Sequence, residues 1–348
     1  MSPMVVSIVI WSLSTGTIIT MSSHHWLLAW LGREMYTLAI IPSISKHHHP
    51  RATEAAKKNS ITQAAAAATI LFASTLNAWT SGQWSILHPT SLPVALLMLI
   101  ALAMKLGLAP VHAWYPEVLQ GITLPTALLM STWQKLAPLA LLLMMYNHLP
   151  QNILLTLGLL SACIGGWAGL NQTQTRKIMA FSSIAHMGWL LTALILSQNL
   201  STLTLLVYLL MTTAMFLTLI FTATKTITDL GTTWTNSPTL LTTSMIILMS
   251  LGGLPPLTGF MPKWLIIKEL TALQLIPLAT ALAMASLPSL FFYIRMAYFT
   301  TLTTPPTTTT TEQKWRHTPQ TPLLLPLTIS LNNTCVSNLL PLLLLFPL

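Results

Sequence analysis

Residues 104–118 read MKLGLAPVHAWYPEV and lie in an apolar stretch long enough to cross a membrane. A second such stretch contains SLGGLPPLTGFMPKW at residues 250–264. Both segments combine a lysine, Lys105 or Lys263, with several prolines and glycines. Proline removes a backbone donor and clashes with the preceding turn, so each segment predicts a discontinuous helix. Broken backbone at membrane depth is tolerated only where it is buried in protein or lines a wet cavity, so both segments are candidate functional positions.

The composition of the whole chain agrees with a membrane location. Of its 348 residues, 53% are hydrophobic and only 6% are charged. Apolar runs of about 20 residues recur along nearly the whole length, which is typical of a polytopic α-helical membrane protein without a sizeable aqueous domain. The net charge of +9 therefore does not indicate a nucleic-acid partner. Basic residues in such a chain mark the loops that stay on one side of the membrane.

Apolar runs bounded by polar residues, proline or glycine predict eleven membrane spans. They lie near residues 3–21, 24–44, 60–80, 92–119, 122–145, 150–170, 177–196, 200–223, 238–270, 275–299 and 322–345. The broken helices are then the fourth and the ninth. If spans one to five and six to ten form two units, each broken helix is the fourth of its unit. Because five is an odd number, the second unit must be inverted relative to the first.

The predicted fold class is thus all-α: a polytopic membrane protein with about 11 transmembrane helices, an inverted repeat of two five-helix units and two discontinuous helices. We expect the first unit at residues 1–149, with its broken helix near 105–116. The second, inverted unit is expected at residues 150–300, with its broken helix near 252–263. A Thr/Pro-rich polar loop at 301–321 and a C-terminal helix at 322–348 complete the chain.

The distribution of basic residues predicts the orientation. The loops after the second, sixth, eighth and tenth spans hold Lys46, Arg51, Lys57, Lys58, Arg176, Lys177, Lys225, Lys314 and Arg316. The loops after the first, third, fifth and seventh spans hold neither Lys nor Arg. Since loops rich in Lys and Arg are retained on the inside during insertion, the N-terminus is expected on that side and the C-terminus on the other.

Among the charged residues that fall within the predicted spans, Glu34, Lys105, Lys135 and Lys263 are the candidates for function. An ionisable side chain at the bilayer centre costs at least about 2.5 kcal/mol, so such residues usually belong to a proton or ion pathway. Static ion pairs and lysines that extend to the membrane surface are the structural alternatives.

Several kinds of site are missing from the sequence. The two cysteines, Cys163 and Cys335, have no CxxC or His-linked metal spacing, and there is no P-loop or GxGxxG fingerprint. The run His47–His49 lacks further ligands and is expected to be a solvated segment rather than a metal site. The chain is therefore expected to bind no metal, nucleotide or redox cofactor. The apolar run from Pro3 to Met21 lacks a basic n-region and is expected to be the first helix rather than a signal peptide.

Six segments carry a resemblance to a known family. They are SSHHWLLAWLGREMYTLAIIP (22–42), KHHHPRATEA (46–55), MKLGLAPVHAWYPEVLQG (104–121), TWQKLAPL (132–139), GGWAGLNQTQTRKIMAFSSIAHMGW (165–189) and GGLPPLTGFMPKW (252–264). In them the chain resembles the vertebrate, mitochondrially encoded subunit 2 family of NADH:ubiquinone oxidoreductase, respiratory complex I. The resemblance implies an antiporter-like subunit of the membrane arm with eleven helices, whereas bacterial relatives have fourteen.

The resemblance also implies roles for individual residues. Glu34 would be the carboxylate partner of Lys105, Lys135 the relay between the two units, and Lys263 the lysine of the second broken helix. His186 would lie between the two lysine regions, and His112 follows the first break. Separation of a glutamate from a lysine can release a proton from the lysine, and such a pair titrates as a coupled unit.

The implied setting is the inner mitochondrial membrane, with the N-terminus on the matrix side and the C-terminus on the intermembrane-space side. The implied partners are other membrane-arm subunits, namely subunits 4 and 4L plus accessory subunits, and a lipid such as cardiolipin. NADH, FMN, iron–sulfur clusters and ubiquinone would be bound by other subunits. Two alternatives stay open: a structural spacer that does not pump and a stand-alone cation/proton antiporter.

One residue departs from the family pattern. Arg33 stands immediately before Glu34, where the family usually has an apolar residue. Consecutive positions of a helix point about 100° apart, so Arg33 is not expected to pair with Glu34 from the same face. Arg33 is instead expected to meet another carboxylate or a subunit contact, and it complicates a simple pairing of Glu34 with Lys105.

Overall fold

The computed structural model describes residues 3–46, 49–86, 91–235, 238–255, 257–302 and 305, and these residues form helices and turns without a β-strand. The helices are α1 Pro3–Ser22, α2 Trp26–Ser45, α3 Pro50–Ser81, α4 Leu92–Leu106, α5 Trp114–Gly121, α6 Leu124–Ser131, α7 Trp133–Met145, α8 Gln151–Gly169, α9 Thr175–Leu196, α10 Gln198–Thr222, α11 Ile227–Thr232, α12 Pro238–Gly252, α13 Phe260–Ala272 and α14 Ile276–Thr300. The all-α prediction is therefore confirmed for the described part of the chain.

The chain divides into two compact units, residues 1–161 and residues from 162 onward. In the first unit, α2 packs against α1 and α3, and α3 also packs against α4 and α5. In the second unit, α10 packs against α9, α12 and α13, and α14 packs against α12 and α13. The expected inverted relation between two five-helix units stays a prediction.

Helix α3 begins ten residues before the predicted third span at 60–80. The Nδ1 atom of His49 accepts a hydrogen bond from the amide of Arg51, and Pro50 fills the first helical turn, where its missing donor costs nothing. The prediction that Arg51, Lys57 and Lys58 lie in a loop is therefore wrong, because this capped start extends the helix across them. At about 1.5 Å per residue the 32 residues of α3 measure about 48 Å, more than the roughly 30 Å of a bilayer core.

An ion-paired cluster joins this early part of α3 to α5. The Nζ atom of Lys58 lies 2.7 Å from a carboxylate oxygen of Glu54, one turn earlier, and 2.7 Å from one of Glu117 in α5. All three side chains are largely exposed, so the cluster fixes geometry more than it stabilises the fold.

Seven helical segments among the described residues are long and apolar enough to cross a membrane. They are Pro3–Ser22, Pro50–Ser81, Leu124–His148, Gln151–Gly169, Thr175–Leu196, Gln198–Thr222 and Ile276–Thr300. Two shorter apolar helices, α4 and α12, are the first halves of the predicted broken helices. This pattern supports a multi-pass membrane fold, whereas the count of eleven stays a prediction. The span at 322–345 lies outside the described residues, as does nearly all of the loop at 301–321.

Candidate functional site: buried lysines at helix breaks

The first predicted break is present between α4 and α5. Helix α4 ends at Leu106 and is followed by Gly107, whose φ of +71° is a conformation that favours glycine. The Gly107 amide donates to the Met104 carbonyl at 3.3 Å, and the Leu108 amide donates to the Ala103 carbonyl at 3.0 Å. This pair of hydrogen bonds is a Schellman ending, and it places Lys105 in the last turn of the half-helix.

Two aromatic residues connect the second half of this broken helix to the first. The indole Nε1 of Trp114 donates to the Met104 carbonyl at 3.1 Å. The next residue, Tyr115, packs so close to Gly107 that a Cβ atom added there would lie 3.2 Å from the tyrosine Cβ. Both contacts hold the start of α5 against the end of α4.

Lys105 is buried, with 6% of its surface exposed, and its Nζ atom has no hydrogen-bond partner among the described residues. It interacts electrostatically with Arg33 and Glu34, both in α2. Glu34 is half-buried and one of its carboxylate oxygens is enclosed without a hydrogen bond. The structure thus brings Glu34 and Lys105 into one electrostatic cluster, without an ion pair in direct contact.

Arg33 adds a second cation to this cluster. Only 1% of its surface is exposed, and none of its three guanidinium nitrogens has a hydrogen-bond partner among the described residues. Arg33 makes no direct ion pair with Glu34 in the part of the chain that the structure describes. A buried guanidinium without a partner is costly, so Arg33 makes this cluster electrostatically unbalanced.

Glu34 also lines a groove between α2 and α3 in the first unit. The groove has a volume of about 430 Å³. Its lining residues are Trp30, Glu34, Ala64, Ala67, Ala68, Leu71, Phe72 and Thr75. The Glu34 side chain therefore borders this groove, whereas Lys105 does not.

Lys135 follows an interruption that was not expected. The predicted span 122–145 is divided at Thr132 into α6 and α7, and the amide of Lys135 donates to the Thr132 carbonyl at 3.3 Å. The predicted span still corresponds to one helical segment, Leu124–His148, that is long and apolar enough to cross a membrane, and only the turn at Thr132 within it was not predicted. Pro138, inside α7, leaves the Gln134 carbonyl without its usual amide donor and crowds the preceding turn.

The ammonium of Lys135 lies over an aromatic ring from the first break. Its Nζ atom is 5.0 Å from the centroid of the Tyr115 ring, within the range of a cation–π interaction. Lys135 is 3% exposed. The first broken helix thus contributes both Lys105 and an aromatic neighbour of Lys135.

The second predicted break lies between α12 and α13, and it ends α12 in the same way. Gly253 has a φ of +80°, its amide donates to the Ser250 carbonyl at 2.9 Å, and the Leu254 amide donates to the Met249 carbonyl at 3.3 Å. Lys263 returns to this turn from α13: its Nζ atom donates to the Gly252 carbonyl at 3.0 Å. A cation at the C-terminal end of a helix is stabilised by the helix dipole.

His186 and Lys263 line one small cavity in the second unit. Its volume of about 30 Å³ accommodates roughly one or two waters, and its polar lining also includes Thr204, Tyr208 and Ser250. The Nε2 atom of His186 lies 3.3 Å from the hydroxyl oxygen of Tyr293.

His112 lies in the first break itself, between α4 and α5. It is half-buried, and its Nδ1 atom donates to the Pro110 carbonyl at 3.2 Å. This local hydrogen bond fixes the Nδ1–H tautomer of the neutral ring. The described residues contain no cluster of three or more His, Cys, Asp or Glu that could hold a metal ion, and His47, His48 and Cys335 lie outside them.

Sequence reasoning missed Tyr115, Ser182 and Tyr293, the neighbours of Lys135 and His186. Tyr115 lies within the quoted segment 104–118, so its place in the break was a usable signal. Ser182 and Tyr293 lie in unbroken apolar helices, where a hydroxyl commonly bonds its own backbone, and no local pattern distinguishes them.

The chain matches known proteins over nearly its whole length. The family model described as NADH:quinone oxidoreductase/Mrp antiporter, TM, matches residues 23–289, and that for the C-terminus of NADH dehydrogenase subunit 2 matches residues 290–346. NADH-ubiquinone oxidoreductase chain 2 of Tetraodon nigroviridis is 50% identical over 98% of both chains. That of Xenopus laevis is 52% identical over 93% of this chain and 94% of its own.

Solved structures share the fold. A chain of respiratory complex I from Thermus thermophilus, determined with bound aureothin, has a TM-score of 0.84 and 26% identity, over 94% of this chain and 76% of that one. A chain of the Mrp complex from Dietzia sp. DQ12-45-1b shares the fold at a TM-score of 0.77 and 16% identity, over 86% of this chain and 61% of that one. With half of its residues identical to vertebrate relatives over nearly full length, the chain belongs to the NADH-ubiquinone oxidoreductase chain 2 family.

Proposed function

We propose that this chain is a core membrane-arm subunit of respiratory complex I that translocates protons across the inner mitochondrial membrane. The observation that carries the proposal is the position of its buried lysines. Lys105 and Lys135 each lie within three residues of a helix interruption, and Lys263 hydrogen-bonds to the end of a half-helix across another. Buried ionisable groups at broken membrane helices are a recurring basis of proton transport.

In the first unit, Glu34 and Lys105 form the coupled pair. When the carboxylate approaches, the protonated lysine is stabilised, and when it withdraws the lysine releases its proton. The ammonium of Lys105 and the enclosed carboxylate oxygen of Glu34 support such a pair, because neither atom has a hydrogen-bond partner among the described residues. Arg33 keeps its positive charge throughout this exchange and repels the protonated Lys105.

Lys135 is the relay that receives charge from this pair by repulsion between like-charged groups. The ring of Tyr115 attracts its ammonium. In the second unit, His186 and Lys263 continue the pathway through the small cavity that both of them line. His112 belongs to the first break and serves proton entry or exit there.

The energy for this movement comes from NADH oxidation and ubiquinone reduction in other subunits. We propose that this chain belongs to the H⁺-translocating NADH:ubiquinone reductase without redox chemistry of its own. NADH, FMN, iron–sulfur clusters and ubiquinone are then held elsewhere. The proposed partners are subunits 4 and 4L, accessory subunits and lipid such as cardiolipin. The proposed topology has eleven spans, with the N-terminus in the matrix.

The replacement Lys135→Met separates a pump from a spacer. Methionine keeps an unbranched apolar stem and removes the titratable head, so the subunit should assemble at least as well. Turnover or the number of protons moved per quinone reduced should fall in sealed vesicles. Lys57→Met is the control, because it removes an exposed charge from α3. Normal turnover with a normal proton ratio in Lys135→Met would favour the spacer, and purification of the active chain outside a large assembly would favour the stand-alone antiporter.

A further inference from the structure

The hydroxyl of Tyr293 occupies a specific place beside His186. Tyr293 belongs to α14 and is 1% exposed. Its hydroxyl oxygen lies 3.3 Å from His186 Nε2, and the two ring centroids are 6.5 Å apart. The ring of Tyr208 in α10 also packs against the His186 ring, and the two ring centroids are 5.8 Å apart. Lys263 in α13 is the charged group that shares the cavity with His186.

Ser182 completes a bridge to the same hydroxyl. The Ser182 side chain lies close enough to the Tyr293 hydroxyl to interact with it, and Ser182 precedes His186 by four residues on α9. Residues four apart lie on one face of a helix, so the Tyr293 hydroxyl spans two consecutive turns of α9. The Ser182 hydroxyl donates its own proton to the Met179 carbonyl at 2.8 Å. Its oxygen therefore keeps lone pairs that can accept from Tyr293.

This arrangement can satisfy two protonation states of one nitrogen. When His186 Nε2 carries no proton, the Tyr293 hydroxyl donates to it. When Nε2 carries a proton, it donates to the Tyr293 oxygen, and the phenol hydrogen turns towards Ser182. Apart from the proton that His186 gains or loses through the cavity it shares with Lys263, only the phenol hydrogen changes direction, because a hydroxyl both donates and accepts. The ring keeps its orientation, and no buried polar atom of the bridge loses its partner in either state.

We propose that Tyr293, supported by Ser182, is a positioning residue that holds the His186 ring in one orientation through both states of its proton transfer. This proposal rests on the role of His186 in the proposed function. The proton that moves belongs to His186, and Tyr293 and Ser182 end each cycle as they began it. With these two residues in place, the His186 ring neither rotates nor loses a hydrogen bond at each transfer.

The test uses the assembled complex in sealed vesicles with Tyr293→Phe, Ser182→Ala and both together. Coupled turnover should fall about fivefold to tenfold in Tyr293→Phe, the effect of one lost hydrogen bond, and less in Ser182→Ala. The double variant should match Tyr293→Phe, because Ser182 acts only through the phenol. The pH dependence of turnover should shift in Tyr293→Phe, as expected when a partner of a titrating imidazole is removed.

Two neighbouring residues provide matched controls. Tyr298→Phe removes a phenol from the same helix at a residue that is 64% exposed. Ser183→Ala removes the adjacent buried hydroxyl, which bonds the Ala180 carbonyl at 2.7 Å as Ser182 bonds that of Met179. Both controls should keep normal turnover and an unshifted pH profile.

Normal turnover in Tyr293→Phe, or independent effects that multiply in the double variant, would overturn the bridge. If Tyr293→Phe fails to assemble, Ser182→Ala decides alone, and normal turnover with an unshifted profile would refute the proposal. His186→Gln separates this failure from that of the proposed function. Normal turnover in His186→Gln while Lys135→Met is impaired would remove His186 and its bridge but leave the lysine pathway. Normal turnover in both would remove the proposed function itself.

Discussion

The ammonium of Lys263 and the carbonyl of Gly252 are joined by a 3.0 Å hydrogen bond across the second helix break. Through this bond, a lysine of α13 caps a carbonyl at the C-terminal end of α12. Carbonyls at a helix end lack intrahelical partners and carry the negative end of the dipole, so they suit an ammonium at membrane depth. The break therefore creates the acceptor that holds the lysine.

We expect Gly253→Ala to disturb this contact directly. An added Cβ atom would lie 2.9 Å from Lys263 Nζ, at a residue whose φ of +80° strains any side chain by about 1 kcal/mol or more. Coupled turnover should fall, with some loss of assembled subunit, as measured by activity per complex after native separation. Gly252→Ala is the control, since its added Cβ meets no atom closer than 3.9 Å. Equal effects of the two variants would argue against a specific role for the Lys263 contact.

Both breaks could be predicted because proline and glycine act locally. The sequence could not reveal that Lys263 bonds back to Gly252, because that contact depends on the path of the chain between them. The turn at Thr132 was missed because neither proline nor glycine stands next to it, and Pro138 lies well inside the following helix. The neighbours of Lys135 and His186 come from other helices, and helix packing decides which residues meet.

Glu34→Gln should lower coupled turnover with normal assembly. Glutamine keeps the size and hydrogen-bonding capacity of the side chain but removes the charge that stabilises protonated Lys105. Proton-pumping quinone reduction in vesicles measures the effect, with Glu54→Gln as the control at an exposed residue of α3. Unchanged pumping in a fully assembled complex would show that the pairing of Glu34 with Lys105 has no functional part.

Arg33→Leu tests whether the unpaired guanidinium destabilises the folded subunit. A buried charge without a partner costs several kcal/mol, so an apolar side chain of lower volume should leave the assembled amount equal or higher. The amount of complex in native gels and its turnover are the measurements. A collapse of assembly would instead show that Arg33 meets a carboxylate of another subunit in the complex.

The orientation of the chain can be tested with single cysteines for labelling. Residues near Lys57 and Arg176 should be labelled from the matrix side and residues near Gln83 from the opposite side, because Lys and Arg are retained inside. Accessibility in sealed inside-out and right-side-out vesicles distinguishes the two. Labelling of Lys57 and Gln83 positions from one side would refute the count of eleven spans.

The short helix α11 should be stable across physiological pH. Asp229 is partly buried, which alone raises its pKa, but hydrogen bonds from Thr226 and the Lys225 amide outweigh that effect and lower the pKa overall. The capping contribution is then complete above the ordinary Asp pKa of about 4 and is lost as pH falls through the lower folded value. Hydrogen exchange corrected for intrinsic rates should show constant protection of these amides from pH 5 to pH 8. Asn cannot titrate, so Asp229→Asn should not lose protection of these amides at low pH. If this variant lost protection below about pH 4 to the same extent as the wild type, Asp229 would not be the titrating group.

Helix α5 is tied to neighbouring helices at its first residue and near its middle. Trp114 ties its start to the last turn of α4, and Glu117 meets Lys58 on the long helix α3. Tyr115, between these two anchors, lies under the ammonium of Lys135. With these contacts in place, the backbone of α5 is expected to stay fixed rather than to open and close. Charge passing between Lys105 and Lys135 would therefore travel by rotation of side chains and rearrangement of water, while the backbone of the break keeps its shape.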